Sequence, residues 1–322
     1  MPNDSKPPTA NHAVIGSLSK WFVVCATLAV LLAFFGRNEG EAQRGVIISS
    51  DDAGMCTSVN QGTMAALQAG VVRSTSIMTC CPAFDEFAEF ARSHPQYDYG
   101  VHLTLTCDLK APGWGPVLGS SEVPSLVASD GYLHSSTHEV ARLASLTDVE
   151  AELRAQIRKA MNAGIRITHL DHHMWVLFAR PDLLRLYVQL GKEFGLPIRL
   201  SREVPRRMLS VYGEEVVSTY MEQLKALEQA GSPLLDGIEA DNYSIPPHEK
   251  RPYFLTNLRN LRPGLTEIVI HCASPDGSQI EPPDAAARFA DTATFSASEF
   301  RDELSRLRID VLDWREFNAR KR

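Results

Sequence analysis

The chain has 322 residues, 44% of them hydrophobic, and carries 32 Lys and Arg against 39 Asp and Glu for a net charge of −7. That is enough apolar material for a large core, in one α/β barrel or in two domains. The mild acidity without basic clusters argues against a nucleic-acid partner, and six cysteines without a C-x-x-C pair argue against a zinc knuckle or a disulfide framework.

In chain order, Lys20 precedes an apolar run from Trp21 to Phe35. The run has the length of a signal-peptide core and falls short of the roughly 20 residues of a spanning helix. Small residues at Gly40 and Ala42 prepare a cleavage before Gln43. Residues 1–42 therefore read as an export signal, or alternatively as an uncleaved membrane anchor. Residues 43–322 read as one domain placed in the periplasm or outside the cell. The cysteines are expected to be mostly buried thiols.

Val46-Ile47-Ile48 predicts a strand, and Ser58–Ala69 a helix stopped by Gly70. Ser74–Thr79 is a second strand, Ala83–Ser93 a second helix and Tyr99–Leu105 a third strand. Lys110–Tyr132, with Pro112-Gly113-Trp114-Gly115-Pro116 inside it, is a long loop of the kind that serves function. A helix over Leu146–Ala163 and a strand over Ile167–Asp171 follow. Pro181 opens another helix, where its missing N–H costs nothing. Strand Pro197–Leu200, helix Glu214–Ala230, strand Thr266–His271, a helix near Ala297–Arg308 and the β run Ile309–Leu312 complete the series. Alternation of this kind predicts a parallel sheet, and seven or eight repeats predict a closed (β/α) barrel. No G-x-G-x-x-G or G-K-[ST] loop follows a strand, which disfavours nucleotide binding.

The strands end in polar residues that do not belong in a strand core. The first ends Ser49-Ser50-Asp51-Asp52-Ala53-Gly54, and the third contains His102. The fourth ends Thr168-His169-Leu170-Asp171-His172-His173, and the strand from Thr266 ends in His271. Barrel enzymes gather their chemistry at such C-terminal strand ends. Side chains alternate along a strand. His169, Asp171 and His173 therefore share one face and His172 takes the other, which favours His173 over His172 as a ligand. His169 reads as a satisfied core histidine and Glu267 as a buried structural acid. Asp51-Asp52 alone is ordinary turn chemistry. Beside strand-end histidines, one of the two carboxylates with two imidazoles makes a set for a catalytic divalent metal, leaving the other carboxylate free as a base. Arg199 is a candidate to bind a substrate hydroxyl or to orient Asp51, with a structural ion pair as the alternative. Trp175 and Trp114 are candidates for stacking on sugar faces.

Four ordered motifs, Ser50-Asp51-Asp52-Ala53-Gly54, Gly100-Val101-His102-Leu103, Thr168-His169-Leu170-Asp171-x-His173 and Pro263 to His271, resemble the YdjC-like carbohydrate deacetylases, the group of chitooligosaccharide deacetylase and the hopanoid-associated deacetylase. The match runs over most of residues 45–315. The resemblance implies a distorted (β/α) TIM-like barrel and a metal-dependent hydrolase that removes N-acetyl groups from amino-sugar carbohydrates. It implies Asp51 as general base, His271 as acid, and Asp52, His102 and His173 as ligands of one divalent ion, Zn2+ or Mg2+. The expected partner is an N-acetylated carbohydrate, and self-association into a homo-oligomer is left open. The chain departs from the family at His172, where Ser is common, and at His271-Cys272-Ala273, where Pro-Gly usually follows the histidine. The competing readings are an amide or ester hydrolase with a non-sugar substrate, and a carbohydrate-binding relative without catalysis.

Overall fold

The computed structural model describes residues 43–109, 113–205, 211–275 and 282–319. The expected export signal falls on residues 1–42, outside the described residues. Among the described residues no helix is long and apolar enough to cross a membrane.

The body begins with β1 (Arg44–Ala53), α1 (Thr57–Ala69), β2 (Ser74–Ile77), α2 (Phe84–Ser93) and β3 (Asp98–Leu103). After a long connection come α3 (Thr137–Leu143), α4 (Leu146–Asn162), β4 (Ile167–His172), a 3-10 turn (His173–Phe178), α5 (Pro181–Phe194) and α6 (Glu214–Gln229). Then follow β5 (Gly237–Glu239), α7 (Lys250–Arg259), β6 (Gly264–Ile270), α8 (Ala285–Ser296), α9 (Ser298–Arg306), β7 (Asp310–Leu312) and α10 (Trp314–Ala319). The strands lie in the order β4-β3-β2-β1-β6-β5, and β7 pairs with the first half of β1.

Every pairing is parallel. Two parallel bridges, Leu170 with Ile198 and Ser201 with Leu235, carry the sheet from β4 round to β5 and close it into a barrel. The predicted strand Pro197–Leu200 is thus real as a barrel stave, though too briefly paired to form a full ladder. Helix α1 stops at Gly70 in the left-handed conformation, and Pro181 occupies the first turn of α5, both as expected.

The apolar positions of the strands face outward. Val101, Leu103 and Leu170 join Leu183, Leu184 and Tyr187 of α5 in one cluster, and Val46, Ile48 and Ile268 join Ala66 and Leu67 of α1 in another. Each such Leu or Ile contributes about 1.5–3 kcal/mol by leaving water. This outer packing leaves the inward positions to polar residues. Trp314 of α10 is fully buried and closes the barrel floor. Its ring stacks on His169 at 4.6 Å, its backbone N–H donates to Asp98 Oδ2 at 2.8 Å, and its indole N–H faces Glu267. His169 is therefore a core residue. Gly100 makes room for it, because a Cβ there would lie 2.3 Å from the imidazole. The described cysteines are all free thiols, and all but Cys80 are buried.

Candidate active site

The site opens at the C-terminal ends of the strands. In a regular strand Asp51 and Asp52 would point to opposite faces. β1 avoids this with a bulge against β2 between Ser50 and Ala53, where Asp52 takes φ 72°. A non-glycine residue in the left-handed region is strained by about 1–3 kcal/mol and persists where neighbours hold it. Here Gly54 N–H donates to Asn60 Oδ1 at 2.7 Å, and Met78 N–H to Ala53 O at 2.8 Å. The bulge lets both carboxylates reach the barrel mouth.

Asp52 Oδ1 lies 3.3 Å from His102 Nε2 and 3.2 Å from His173 Nδ1, and Asp52 Oδ2 accepts from Arg288 Nη2 at 2.8 Å. The three ligand atoms lie within 4.8 Å of one another on fully buried residues. His102 Nδ1 is 2.8 Å from Asp171 Oδ1, which fixes the ring and leaves Nε2 facing Asp52. His173 follows β4 on the same face as Asp171, and its Nε2 lies 2.8 Å from Asp108 Oδ1. Met174 and Trp175 then turn the chain back with φ 54° and 56°, their carbonyls accepting from Thr137 Oγ1 and Tyr212 OH. This set of one carboxylate and two imidazoles, each held from behind, fits a divalent ion.

Asp51 faces the same mouth. Arg199 grips it with two hydrogen bonds, Nη1 to Oδ2 at 2.7 Å and Nη2 to Oδ1 at 2.8 Å, and Ser76 Oγ donates to Oδ1 at 3.0 Å. The same guanidinium bonds Glu267 at 2.8 Å and Asp171 at 2.8 Å. Of the roles read for Arg199 from the sequence, orienting Asp51 has direct contacts here, and the residue also lines the cavity where a substrate would sit. Its guanidinium joins three buried carboxylates, Asp51, Asp171 and Glu267.

Charge states follow from burial and neighbours. For His102, burial opposes the charged form, but the Asp171 and Asp51 carboxylates outweigh it and lift the pKa to about 9. His173 is likewise raised despite burial, by Asp108 and Asp52. Burial lowers His271 to about 4, so its imidazole is neutral near pH 7. Burial also lifts Glu267 to about 7 against the pull of Arg199. His172 sits on the opposite face of β4 in a box of Trp175, Phe178 and Tyr187, and burial lowers it to about 3. Strand parity is therefore observed at both histidines. His172→Ala is expected to leave the metal content unchanged and to destabilise the fold by about 2–5 kcal/mol through the cavity left behind. Metal analysis alongside urea unfolding checks both halves.

These groups line a cavity of about 450 Å³ with Asp51, His102, His173, Trp175, Tyr243 and His271 on its wall. That is a size suited to a small ligand. Trp175 thus stays a wall residue. Trp114 does not, being 2% exposed with its indole N–H donating to Thr106 O at 2.8 Å. His271 is placed by a close approach of α1: a Cβ on Gly62 would come within 2.3 Å of the Ala273 backbone. Ser58 Oγ also donates to Ser274 O at 2.7 Å. Sequence reasoning missed Arg288, Asp108 and Tyr243. Arg288 lies on α8, a helix that was not anticipated, and its Nε donates to Asp284 at 2.8 Å.

A family model described as YdjC-like protein matches residues 45–306. A carbohydrate deacetylase of Thermus thermophilus is 34% identical over 218 residues, 68% of this chain and 76% of the relative. Another, from Brevibacillus brevis, is 34% identical over 155 residues, 48% of this chain and 58% of the relative. A third, from Geobacillus stearothermophilus, is 34% identical with 64% of its length covered. The chain thus spans somewhat under two thirds of these last two relatives. A crystal structure from Enterococcus faecalis, described as a cellobiose-phosphate cleavage protein, superposes with a TM-score of 0.70 at 26% identity, covering 86% of this chain and all of that one.

Proposed function

The chain belongs to the YdjC-like family, and on that premise we propose that it is a metal-dependent carbohydrate deacetylase that hydrolyses the N-acetyl group of an amino sugar. The observation that carries this reading is the pairing of two carboxylate roles at one mouth. Asp52 faces His102 and His173, while Asp51, its neighbour in sequence, is held apart by Arg199.

Asp52, His102 and His173 would hold the ion. When bound it would polarise an acyl carbonyl and ease the ionisation of a water. Zinc suits two imidazoles and a carboxylate better than magnesium does. Asp51 takes the proton of the attacking water. Its plane is fixed by Arg199 and Ser76, which removes the entropy of searching for the right orientation. His271, on the same cavity wall, is neutral at the outset, so it must first take up a proton before it can protonate the departing amine. Trp175, on the cavity wall, offers a face to the sugar ring.

The test is acetate release from N-acetylglucosamine oligomers compared with simple acetamides, with metal content measured on the same protein. Release from the oligomers is expected to dominate. Equal turnover of acetamides would favour a general amide or ester hydrolase, and binding of oligomers without release a non-catalytic relative. Export belongs to the same proposal. Sequencing the N-terminus of secreted protein is expected to give Gln43 first.

A further inference from the structure

Tyr243 stands on the cavity wall and has no part in the chemistry assigned above. It is 46% exposed, yet its loop is tightly anchored. The next residue inward, Asn242, is fully buried. It donates through Nδ2 to Val269 O at 2.8 Å and accepts from Lys250 Nζ at 3.1 Å. Lys250 is buried too, paired with Asp291 at 3.0 Å, and Asp291 accepts the His271 backbone N–H at 3.2 Å. One buried cluster therefore ties the neighbour of Tyr243 to the backbone of His271. The two rings lie 4.3 Å apart, tilted by 43°. Tyr243 shares the cavity wall with His102, His173, Asp284 and Arg288. Binding and catalytic residues are disproportionately found on loops positioned by a rigid scaffold, as this one is through Asn242.

Hydrolysis of an amide turns the acyl oxygen from a neutral acceptor into an anion, and a preset donor there lowers the barrier. Among the described residues the wall carries two cations: Arg199 is bound to Asp51, Asp171 and Glu267, and Arg288 is bound to Asp52 and Asp284 through Nη2 and Nε, with its buried Nη1 unpaired. A tyrosine hydroxyl is a neutral donor at physiological pH. We propose that Tyr243 is a further catalytic residue whose hydroxyl donates a hydrogen bond to the acyl oxygen of the substrate as negative charge develops on it. This rests on the deacetylase reading above.

The experiment compares zinc-loaded wild type, Tyr243→Phe and Tyr243→Ala. Each is assayed for acetate release from N-acetylglucosamine oligomers and for affinity toward acetate by calorimetry. Tyr243→Phe keeps the ring and removes only the donor. It is expected to lower kcat by about 10²-fold or more, with KM changed by less than about threefold and zinc content unaltered. Acetate affinity should fall in Tyr243→Phe as well. Unchanged kcat and acetate affinity in Tyr243→Phe overturns the proposal. So does a rise in KM alone that is larger in Tyr243→Ala, which would make the ring a sugar platform. If wild type releases no acetate from any N-acetylated sugar, the deacetylase reading fails. The acetate affinities then decide the role of the hydroxyl separately, a loss in Tyr243→Phe supporting it and no change overturning it.

Discussion

Asp51→Asn is expected to lower acetate release by about 10²–10⁴-fold, the contribution of a positioned general base, while the protein still binds its metal. The substitution keeps the shape of the side chain and takes away its affinity for a proton. Arg199 remains paired to Asp171 and Glu267, so no buried cation is stranded. One amide N–H₂ would face the guanidinium or Ser76, costing about 1–3 kcal/mol of stability. Turnover, metal content and thermal unfolding measured on one preparation separate these effects. Loss of metal together with activity would make Asp51 a ligand, and activity within about tenfold of wild type would place the base elsewhere.

Asp52→Ala and His173→Ala should each weaken metal binding by more than about 10²-fold, since losing a ligand costs at least as much as losing the partner behind one. Calorimetric titration with zinc gives the numbers, and retention of metal by His173→Ala with its loss in His172→Ala would overturn the assignment. The affinity should also depend steeply on pH. With His102 at about 9 and His173 raised, both rings are protonated near neutrality in the metal-free protein, and an entering ion must displace those protons. Binding therefore tightens by about tenfold per pH unit for each proton released, and the part due to His102 levels off above about pH 9. The same raised pKa stabilises the metal-free fold below the unfolded value of about 6.5, and that stabilisation is lost as pH rises through about 9. Proton and ion thus substitute for one another at this histidine.

Much of this arrangement was legible in the sequence because strands have a period. Parity separated His173 from His172, and the structure puts the first beside Asp52 and the second in an aromatic box. The same rule fails at Asp51-Asp52. A bulge is a local break in the period, and only the left-handed Asp52 reveals it. Helices were harder to find where their apolar faces are short. α7 and α8 were not anticipated, and with α8 went Arg288, whose importance comes from a contact 236 positions away in sequence. Asp108 and Tyr243 lie on loops, where nothing periodic marks which residue turns inward. Trp314 could not be read as the barrel floor, because its partners Asp98, His169 and Glu267 come from three separate strands.

The closure of the barrel between β4 and β5 has a mechanical side. Elsewhere the staves are zipped by long ladders, β1 to β6 over seven paired positions. At the Ile198–Ser201 stave the join rests on one bridge to each neighbour. What pulls that stave inward is Arg199, reaching across the lumen to Asp51 on β1, Glu267 on β6 and Asp171 on β4. The guanidinium is thus a rivet for the weakest seam of the wall, and one of its three anchor points is Asp51, the carboxylate proposed above as the base. Removing the guanidinium would therefore open the wall at this join as well as release Asp51.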